Sequence, residues 1–366
     1  MELELSNLTF TDQDDIVPAS GVEKILNTGV ANTLAGNDRI TGTGSGYALT
    51  NYGTINTDDG NDTIAGMGEE FPPGSNDNGG LYNIGTLNAG EGNDIITGSA
   101  FWGGLLNSGT LNAGEGNDTI IGSGAYGAGI YSSAGSIFDT GGGNDLIRAG
   151  SGRGGLYNSS NAFTTGEGND TIYGGSSDYP GIVNEGLINT GNGEDYLISE
   201  GPLLNYGGVF LGDGNDWLYT TEYVGVTNRT LENLNFIGTG DGNDIISSIG
   251  VIYNEGVINT GDGADSIIAD GGFQSGSNSS GSVLLGDGAD YIKGFGSGDF
   301  YGGNGNDTLE LTPGTYTVGI WGEGGESPIF TKGNQLMITS EFEKLKAGNT
   351  LYDFTNLTAG QIITVA

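Results

Sequence analysis

Short runs of alternating apolar and polar residues recur along most of the chain, and glycines separate them. One recurring run has the form Asn-x-Gly-x-(Ile/Leu/Val), as in Asn83–Leu87, Asn107–Leu111 and Asn184–Ile188. Each period holds about three such runs, and short alternating runs between glycine turns are typical of β-strands. Three strands and three corners per period predict an all-β fold, a parallel β-helix (β-solenoid) with one coil per period.

A second motif, Gly-x-Gly-x-Asp-x-(Ile/Leu), marks one corner of each predicted coil. The Asp, the Gly two residues before it and the Ile or Leu two residues after it are present in all twelve copies. Successive aspartates are 17 to 32 residues apart, and periods of this order are typical of stacked, quasi-one-dimensional folds. The Ile and Leu residues predict an inward-facing anchor in each coil. The aspartates are Asp38, Asp62, Asp94, Asp118, Asp145, Asp170, Asp195, Asp216, Asp244, Asp265, Asp290 and Asp307.

Stacking the coils places these carboxylates above one another. Neighbouring strands lie about 4.8 Å apart, and two unit charges at that separation repel by roughly 3 kcal/mol at an effective dielectric of 20. A cation between successive loops removes this repulsion. Carboxylate and carbonyl oxygens are the ligands that Ca²⁺ prefers, whereas Mg²⁺ keeps its waters and needs stricter geometry.

Glycine reaches positive φ at little cost, so the Gly-x-Gly segment can turn its carbonyls inward toward such an ion. We therefore predict Ca²⁺ sites at the twelve aspartates. The predicted carbonyl ligands come from Gly92, Gly116, Gly143, Gly168, Gly193, Gly214, Gly242, Gly263, Gly288 and Gly305.

The aspartates have a second interpretation, as residues that stabilise the corners by local hydrogen bonds in Asx turns. Asparagine would do this without the charge, yet all twelve positions are Asp while the preceding residue is usually Asn. The metal interpretation is therefore favoured. For the asparagines of the first motif we predict an internal ladder of side-chain hydrogen bonds rather than a ligand site. These are Asn51, Asn83, Asn107, Asn184, Asn205, Asn233 and Asn254.

The segment Gly302–Leu309, GGNGNDTL, resembles the RTX (hemolysin-type) calcium nonapeptide G-G-x-G-x-D-x-U at every fixed position. The other copies resemble it from the second glycine onward, and the first two, with Leu34 and Asp58 at that glycine, depart further. The family runs its nonapeptides back to back, whereas this chain has one per coil of about 25 residues. We therefore expect a wider three-sided coil rather than the family's two-strand β-roll.

The resemblance implies calcium binding in the loops and an extracellular or cell-surface location. The C-terminal segment looks like the tails of secreted RTX-like proteins, cyanobacterial ones in particular. Those proteins are exported by type I machinery that reads an uncleaved C-terminal signal.

The formal charge is −37, from 9 basic and 46 acidic residues, and the chain has neither Cys nor His. This composition excludes disulfides, thiol catalysis and histidine catalysis, and its negative field argues against nucleic acid and anionic membrane surfaces as partners. The chain has no run of 18 apolar residues, so the sequence predicts no transmembrane helix. One Ca²⁺ in each gap between loops would offset more than half of the charge. We therefore expect the calcium-free chain to repel itself and unfold, and to fold after export to a calcium-rich medium.

Three parts are predicted. Residues 1–28 lack a cleavable secretory signal, and their leucines suggest a strand or two that cap the first coil. Residues 29–309 form the calcium-binding solenoid of about twelve coils, with an insert around 69–78 predicted to protrude as a loop. Residues 310–366 form a C-terminal cap with a candidate type I secretion signal, and Ser340–Leu345 is predicted as a short helix.

Two classes of function fit the sequence. The first is a non-enzymatic structural or adhesive component, as a surface layer, matrix or self-assembling filament, that binds itself end to end or a surface polysaccharide. Its aromatic residues, such as Phe101 and Trp102, either fill gaps or form a sugar-stacking face.

The alternatives are a calcium-dependent polysaccharide-active β-helix enzyme and an ice-binding or carbohydrate-binding adhesin. An enzyme needs a basic residue beside extra carboxylates, and the five basic residues of the predicted solenoid form no recognisable constellation. They are Arg39, Arg148, Arg153, Arg229 and Lys293. Ice binding needs a regular Thr array, and the residues that follow the aspartates are too varied for one.

Overall fold

The computed structural model describes residues 2–18, 24–69, 79–176, 178–221, 228–276, 281–322 and 327–366. The chain forms two compact units, Met1–Gly201 and Pro202–Ala366. Each unit is a parallel β-solenoid, so the predicted fold class is confirmed. The division into 1–28, 29–309 and 310–366 stays a prediction, and the insert predicted around 69–78 lies, from residue 70 on, outside the described residues.

The repeat coils contribute strands to three sheets, in which neighbouring coils pair in parallel. Strands of sheet 1 precede the Asn corner, strands of sheet 2 run from that corner to the Asp loop, and strands of sheet 3 follow the Asp loop. C-terminal strands extend two of these sheets by antiparallel pairing: Gly314–Trp321, Ser327–Lys332 and Ile362–Val365 in sheet 2, and Thr350–Asp353 in sheet 3. Equivalent motif positions pair in register: Asn83 pairs with Asn107 in sheet 1, and Leu87 pairs with Leu111 in sheet 2. The repeat in the sequence therefore becomes a vertical repeat of side chains in each unit.

In the first unit, sheet 1 contains Glu2–Glu4, Lys24–Asn27, Leu49–Asn51, Gly79–Asn83, Gly103–Asn107, Ile130–Ser132, Leu156–Asn158 and Ile182–Asn184. Sheet 2 contains Val30–Asn32, Thr54–Asn56, Thr86–Glu91, Thr110–Glu115, Ile137–Gly142, Phe163–Thr164 and Leu187–Asn189. Sheet 3 contains Ile16–Val17, Arg39–Gly44, Thr63–Gly68, Ile95–Ala100, Thr119–Gly124, Leu146–Ser151, Thr171–Ser176 and Tyr196–Glu200. A 3₁₀ helix spans Leu5–Asn7.

In the second unit, sheet 1 contains Leu203–Asn205, Arg229–Asn233, Val251–Asn254 and Phe273–Gln274. Sheet 2 contains, in chain order, Gly208–Phe210, Phe236–Gly238, Val257–Asn259, Ser282–Leu284, Gly298–Tyr301, Gly314–Trp321, Ser327–Lys332, Gln335–Ser340 and Ile362–Val365. Sheet 3 contains Trp217–Thr220, Ile245–Ser248, Ser266–Ala269, Tyr291–Lys293, Thr308–Leu311, Lys344–Ala347 and Thr350–Asp353. Asp287–Gly288 and Asn304–Gly305 form a two-stranded sheet, and a 3₁₀ helix spans Phe354–Asn356.

The helix predicted at Ser340–Leu345 is wrong. Ser340 ends a sheet 2 strand, and Lys344 begins a sheet 3 strand that pairs in parallel with Thr308–Leu311. Local composition favoured a helix there, but tertiary pairing and burial of the flanking strands override a weak local preference. Within the described residues the only helices are the two 3₁₀ turns, and none is long and apolar enough to cross a membrane.

The interior of each coil is lined by one apolar residue from each sheet. The Ile or Leu two residues after each Asp is at most 1% exposed in all twelve copies, which confirms its predicted role as an anchor. Leu81 of sheet 1 and Leu87 of sheet 2 are also fully buried. Full burial of one such side chain stabilises by about 1.5–3 kcal/mol, so the apolar lining holds each coil while leaving the corners free for polar ladders.

The predicted asparagine ladder is present at the corner between sheets 1 and 2. Six Asn side chains of this ladder donate to the Asn Oδ1 of the next coil over 2.8–2.9 Å. Asn51 also donates to the Thr86 carbonyl, at 2.7 Å, and Ser132 takes the Asn position in one coil. These bonds confirm the structural role. The described ladder segments are Asn27–Asn51–Asn83–Asn107, Asn158–Asn184 and Asn205–Asn233–Asn254.

Candidate metal centre

The repeat aspartates lie at the corner between sheets 2 and 3 and are buried. Their exposed fraction is at most 2% in all twelve copies. The stacking of these side chains was predicted from the repeat, whereas their burial was not. Burial adds a cost to the repulsion between neighbouring carboxylates, because a buried carboxylate loses its hydration.

One carboxylate oxygen of each aspartate bonds to the neighbouring coil. The backbone N–H of Asp94 donates to Oδ1 of Asp118 over 2.7 Å, and the N–H of Asp118 donates to Oδ1 of Asp145 over 2.8 Å. The same bond, 2.7–2.9 Å long, links successive repeat aspartates from Asp38 to Asp195 and from Asp216 to Asp307. We call each row an aspartate file. These bonds run between coils, so the aspartates are not merely local Asx-turn formers.

The second carboxylate oxygen, Oδ2, is buried without a hydrogen-bond partner in ten of these residues, as far as the described residues show. They are Asp38, Asp62, Asp94, Asp118, Asp145, Asp170, Asp244, Asp265, Asp290 and Asp307. A buried polar atom without a partner costs about 1–3 kcal/mol, and a charged one costs more. The repetition of this one orphaned atom shows that the loops are built for a species that the protein side chains do not supply.

Burial is the main cause of raised carboxyl pKa values in the files. It raises the pKa of Asp62, Asp118 and Asp265 to about 7, and like charge from neighbouring aspartates adds to the shift. The pKa values raised to about 6 are those of Asp94, Asp145, Asp195 and Asp290. At neutral pH the files therefore need protons or cations, and a bound cation would release the protons.

These raised pKa values predict that acid stabilises the metal-free protein. The folded chain binds more protons than the unfolded chain between about pH 4 and pH 7, since an unfolded Asp titrates near 3.9. The stabilisation is complete below the unfolded pKa and is lost as the pH rises through the folded pKa values of about 6 and 7. In calcium-depleted buffer, the β-sheet signal in circular dichroism should fall as the pH is raised from about 5.5 to 7.5, because the folded fraction decreases. Exposed carboxyls titrate below this window, so a signal that does not change with pH would contradict the prediction.

In ten of the twelve loops, the carbonyl of the second glycine points along the stack toward the next loop. These glycines have φ between +128° and +158°, and a Cβ on Gly116 would lie 1.8 Å from the carbonyl oxygen of Gly92. The same is true of two carbonyls that the predicted ligand set omitted, those of Gly36 and Gly60. Their loops lack the earlier glycine, but Leu34 and Asp58 adopt its left-handed conformation, with φ of 72° and 60°.

This close approach predicts a large penalty for Gly116→Ala. The added Cβ would overlap the Gly92 carbonyl, and φ of +133° is costly for alanine, so we expect a loss of more than about 2 kcal/mol. Gly150→Ala is the control, because a Cβ there meets no atom within 4 Å. It should change stability by less than about 0.5 kcal/mol. Chemical unfolding of both variants in millimolar calcium measures the difference, and equal stabilities would refute it.

The loops fit calcium better than a cation that needs many carboxylates. Among the described residues, no three acidic side chains converge as a metal cluster. Each gap instead offers carboxylates of the file and backbone carbonyls, which suits a hard cation with 6–8 oxygen ligands, water included. When bound, such an ion supplies positive charge to the orphaned Oδ2 atoms and ties successive coils together.

Two further acidic residues continue the files, and the sequence analysis missed them. The N–H of Asp15 donates to Oδ1 of Asp38 over 2.8 Å, and the N–H of Asp307 donates to Oε2 of Glu343 over 2.7 Å. Both lie in turns without the Gly-x-Gly segment. The part of the repeat motif that these turns keep is an acidic residue two positions before an apolar one: Asp15 before Val17, and Glu343 before Leu345.

Comparisons with known proteins agree with the loop chemistry. Four segments match the model of the RTX calcium-binding nonapeptide repeat, residues 82–100, 106–125, 158–178 and 299–315. No curated protein matches the chain. Among solved structures, a hyperactive, Ca²⁺-dependent, β-helical antifreeze protein from an Antarctic bacterium is similar, at 17% identity, with 96% of this chain and 93% of that chain covered and a TM-score of 0.49.

The repeat is therefore supported by its sequence and by its structure: the fixed glycine and aspartate spacing, with four segments matched by the family model, and the orphaned carboxylate oxygens. The chain therefore contains the RTX calcium-binding nonapeptide repeat, in four matched copies.

Proposed function

We propose that this chain is a non-enzymatic extracellular protein that stacked calcium ions fold and rigidify, and that it serves as a structural and adhesive component of the cell surface. The observation that carries the proposal is the burial of the file aspartates, ten of which have an Oδ2 atom without a hydrogen-bond partner among the described residues. Such a file needs abundant divalent cations, and calcium is abundant outside cells and scarce inside them.

Location is tested by immunogold labelling of intact native cells. We expect label at the surface in calcium medium, and its loss when the cells are washed with EDTA. Label that appears only after the cells are permeabilised would contradict an extracellular role. A cytosolic protein of the same cells, labelled in parallel, controls for leakage.

An aromatic groove on the first unit supports the adhesive part of the proposal. Its floor is an outward row of sheet 1 in which successive coils place Tyr82, Leu106, Tyr131, Tyr157 and Val183 in register. The rings of Tyr131 and Tyr157 stack with centroids 5.2 Å apart. Turn residues form its wall: Tyr47, Trp102, Tyr126, Arg153 and Tyr179.

The groove suits a polysaccharide better than a peptide strand. Its floor strands are already paired on both sides, as Gly103–Asn107 is, so an extended peptide cannot add to a free sheet edge there. The exposed rings of Trp102 and Tyr179 in the wall can stack on sugar rings. The Arg153 guanidinium, over the ring of Tyr126 at 5.1 Å, adds a donor for hydroxyl or carboxylate groups. The groove continues over several coils, which matches an extended sugar chain.

Affinity electrophoresis against a panel of neutral and acidic polysaccharides, in calcium, tests this part. We expect retardation by at least one polysaccharide and roughly ten-fold weaker binding by Trp102→Ala and Tyr131→Ala. Trp217→Ala is the matched control, because Trp217 is 44% exposed but lies in the second unit, outside the groove. Absence of binding to every polysaccharide, or equal weakening by the control, would reject the groove as an adhesive site.

A further inference from the structure

We infer that the second unit holds a calcium site outside the nonapeptide motif, built where the turn 341–343 covers the last repeat loop. This inference rests on the proposed calcium binding of the files and extends it to residues that no RTX repeat supplies. The turn contributes the carbonyl of Glu341 and the carboxylate of Glu343, and the last repeat contributes Asp307.

The turn is a shortened substitute for a repeat loop. Ser340 pairs with Tyr301 in sheet 2, and Lys344 pairs with Thr308 in sheet 3. Three residues of the turn therefore face the six residues 302–307. Glu341 reverses the chain with φ of 62°, a left-handed conformation that repeat loops reserve almost entirely for glycine. The register brings Glu343 to the position of the next file residue, opposite Asp307.

Oxygen atoms of both layers lie close to Gly302. Asp307 is 0% exposed, and its Oδ2 is buried without a hydrogen-bond partner. Gly302 leaves room beside it: a Cβ there would lie 2.9 Å from Oδ2 of Asp307 and 2.0 Å from the carbonyl oxygen of Glu341. The Glu343 carboxylate is fixed above by the 2.7 Å bond from the N–H of Asp307 to its Oε2.

No basic side chain among the described residues forms an ion pair with these carboxylates. Lys344 pairs with Asp353 at 3.3 Å, and Lys346 pairs with Glu310 at 2.6 Å. Neither lysine pairs with Asp307 or Glu343, and no other basic side chain in the described part of the chain pairs with them. Two carboxylates and a carbonyl, with water, are a ligand set that a hard divalent cation satisfies.

The opposite end of the first unit lacks these features. Asp15 continues the file there, but its Oδ2 accepts the backbone N–H of Thr11 over 2.8 Å, so its own turn satisfies it. Gln13 takes the place of the glycine, and its carbonyl oxygen would lie 2.9 Å from a Cβ on Gly36. In the next two loops the equivalent distance, from the Gly36 or Gly60 carbonyl oxygen to a Cβ on the following loop's glycine, is 1.7 Å. Asp15 therefore ends a file by hydrogen bonds alone and provides a matched control.

Native mass spectrometry of the full chain, loaded in calcium and exchanged into volatile buffer, counts bound ions by mass. Glu343→Gln removes the charge while its amide oxygen can still accept the N–H of Asp307, so the fold is retained, as circular dichroism in calcium checks. We expect this variant to bind one ion fewer than wild type. Asp15→Asn and Glu341→Gln, whose side chains are not ligands, should bind the wild-type number.

An unchanged count for Glu343→Gln, or an equal loss in Asp15→Asn, would overturn the inference while leaving calcium binding by the repeat loops in place. A wild-type chain that binds no calcium would instead reject the proposed function itself. Titration with a calcium-selective electrode provides a second measurement, in which loss of one site appears as a lower total capacity.

Discussion

Transfer of the calcium-loaded protein into excess EDTA at neutral pH is expected to abolish most of its β-sheet circular dichroism. The cause is the pair of aspartate files. At least ten buried Oδ2 atoms lose their counter-charge together, and each uncompensated one costs about 1–3 kcal/mol or more. Ten such costs sum to about 10–30 kcal/mol or more, which is comparable to or larger than the 5–15 kcal/mol by which a typical domain is stable. The acidic residues of the chain, which carries its full formal charge of −37, then repel one another because no calcium ions offset that charge.

Circular dichroism and small-angle scattering of the same samples measure this effect. We compare millimolar calcium, EDTA, and EDTA followed by excess calcium or magnesium. Calcium should restore the β signal and the compact scattering profile, and magnesium should restore much less, since it keeps its waters and needs stricter octahedral geometry. The same β content in EDTA as in calcium would remove the calcium files as the cause of folding.

The fold class could be predicted because two periodicities agree in every coil. The Ile or Leu after each Asp fixes the interior, and the Asn and Gly-x-Gly corners fix where strands end. Parallel pairing in register then follows from repetition, since like residues stack on like, as Asn83 does on Asn107. The three-sheet coil and its inward-facing apolar residues could therefore be predicted from the local sequence.

Orientation and burial of the aspartates could not be predicted in the same way. The motif places Asp118 at a corner but does not say that Oδ1 would take the N–H of Asp94 and leave Oδ2 enclosed. Those facts depend on the distance between coils and on the neighbouring loop, which local sequence does not encode. The turn at Glu343 was missed for a related reason: its glycines are gone, and only register with Asp307 reveals it.

The aromatic groove shows a second limit. Phe101 and Trp102 stood out as neighbours in sequence, whereas Tyr131 and Tyr157 meet only because consecutive coils align them. A surface assembled from residues one coil apart becomes visible when the register is known. Prediction from sequence was thus strong for what repeats within a coil and weak for what forms between coils.

Asp118→Asn should change stability in opposite directions with and without calcium. Without calcium it removes a buried charge, in a group whose pKa is raised to about 7, while its amide oxygen can still accept the N–H of Asp94. The variant should then fold more readily than wild type, by about 1–3 kcal/mol. In calcium it loses a charged ligand, and the loss of one well-occupied site costs about 3 kcal/mol.

Both arms can be measured by circular dichroism. In EDTA, folding is driven with trimethylamine oxide, which favours burial, and Asp118→Asn should need less of it than wild type. In millimolar calcium the same variant should unfold at lower denaturant. Glu115→Gln, in the same loop but exposed, makes an equal charge change and should alter neither arm by more than about 0.5 kcal/mol. A shift of the same sign in both arms would mean that Asp118 acts as a corner hydrogen-bond acceptor and that no cation is held beside its Oδ2.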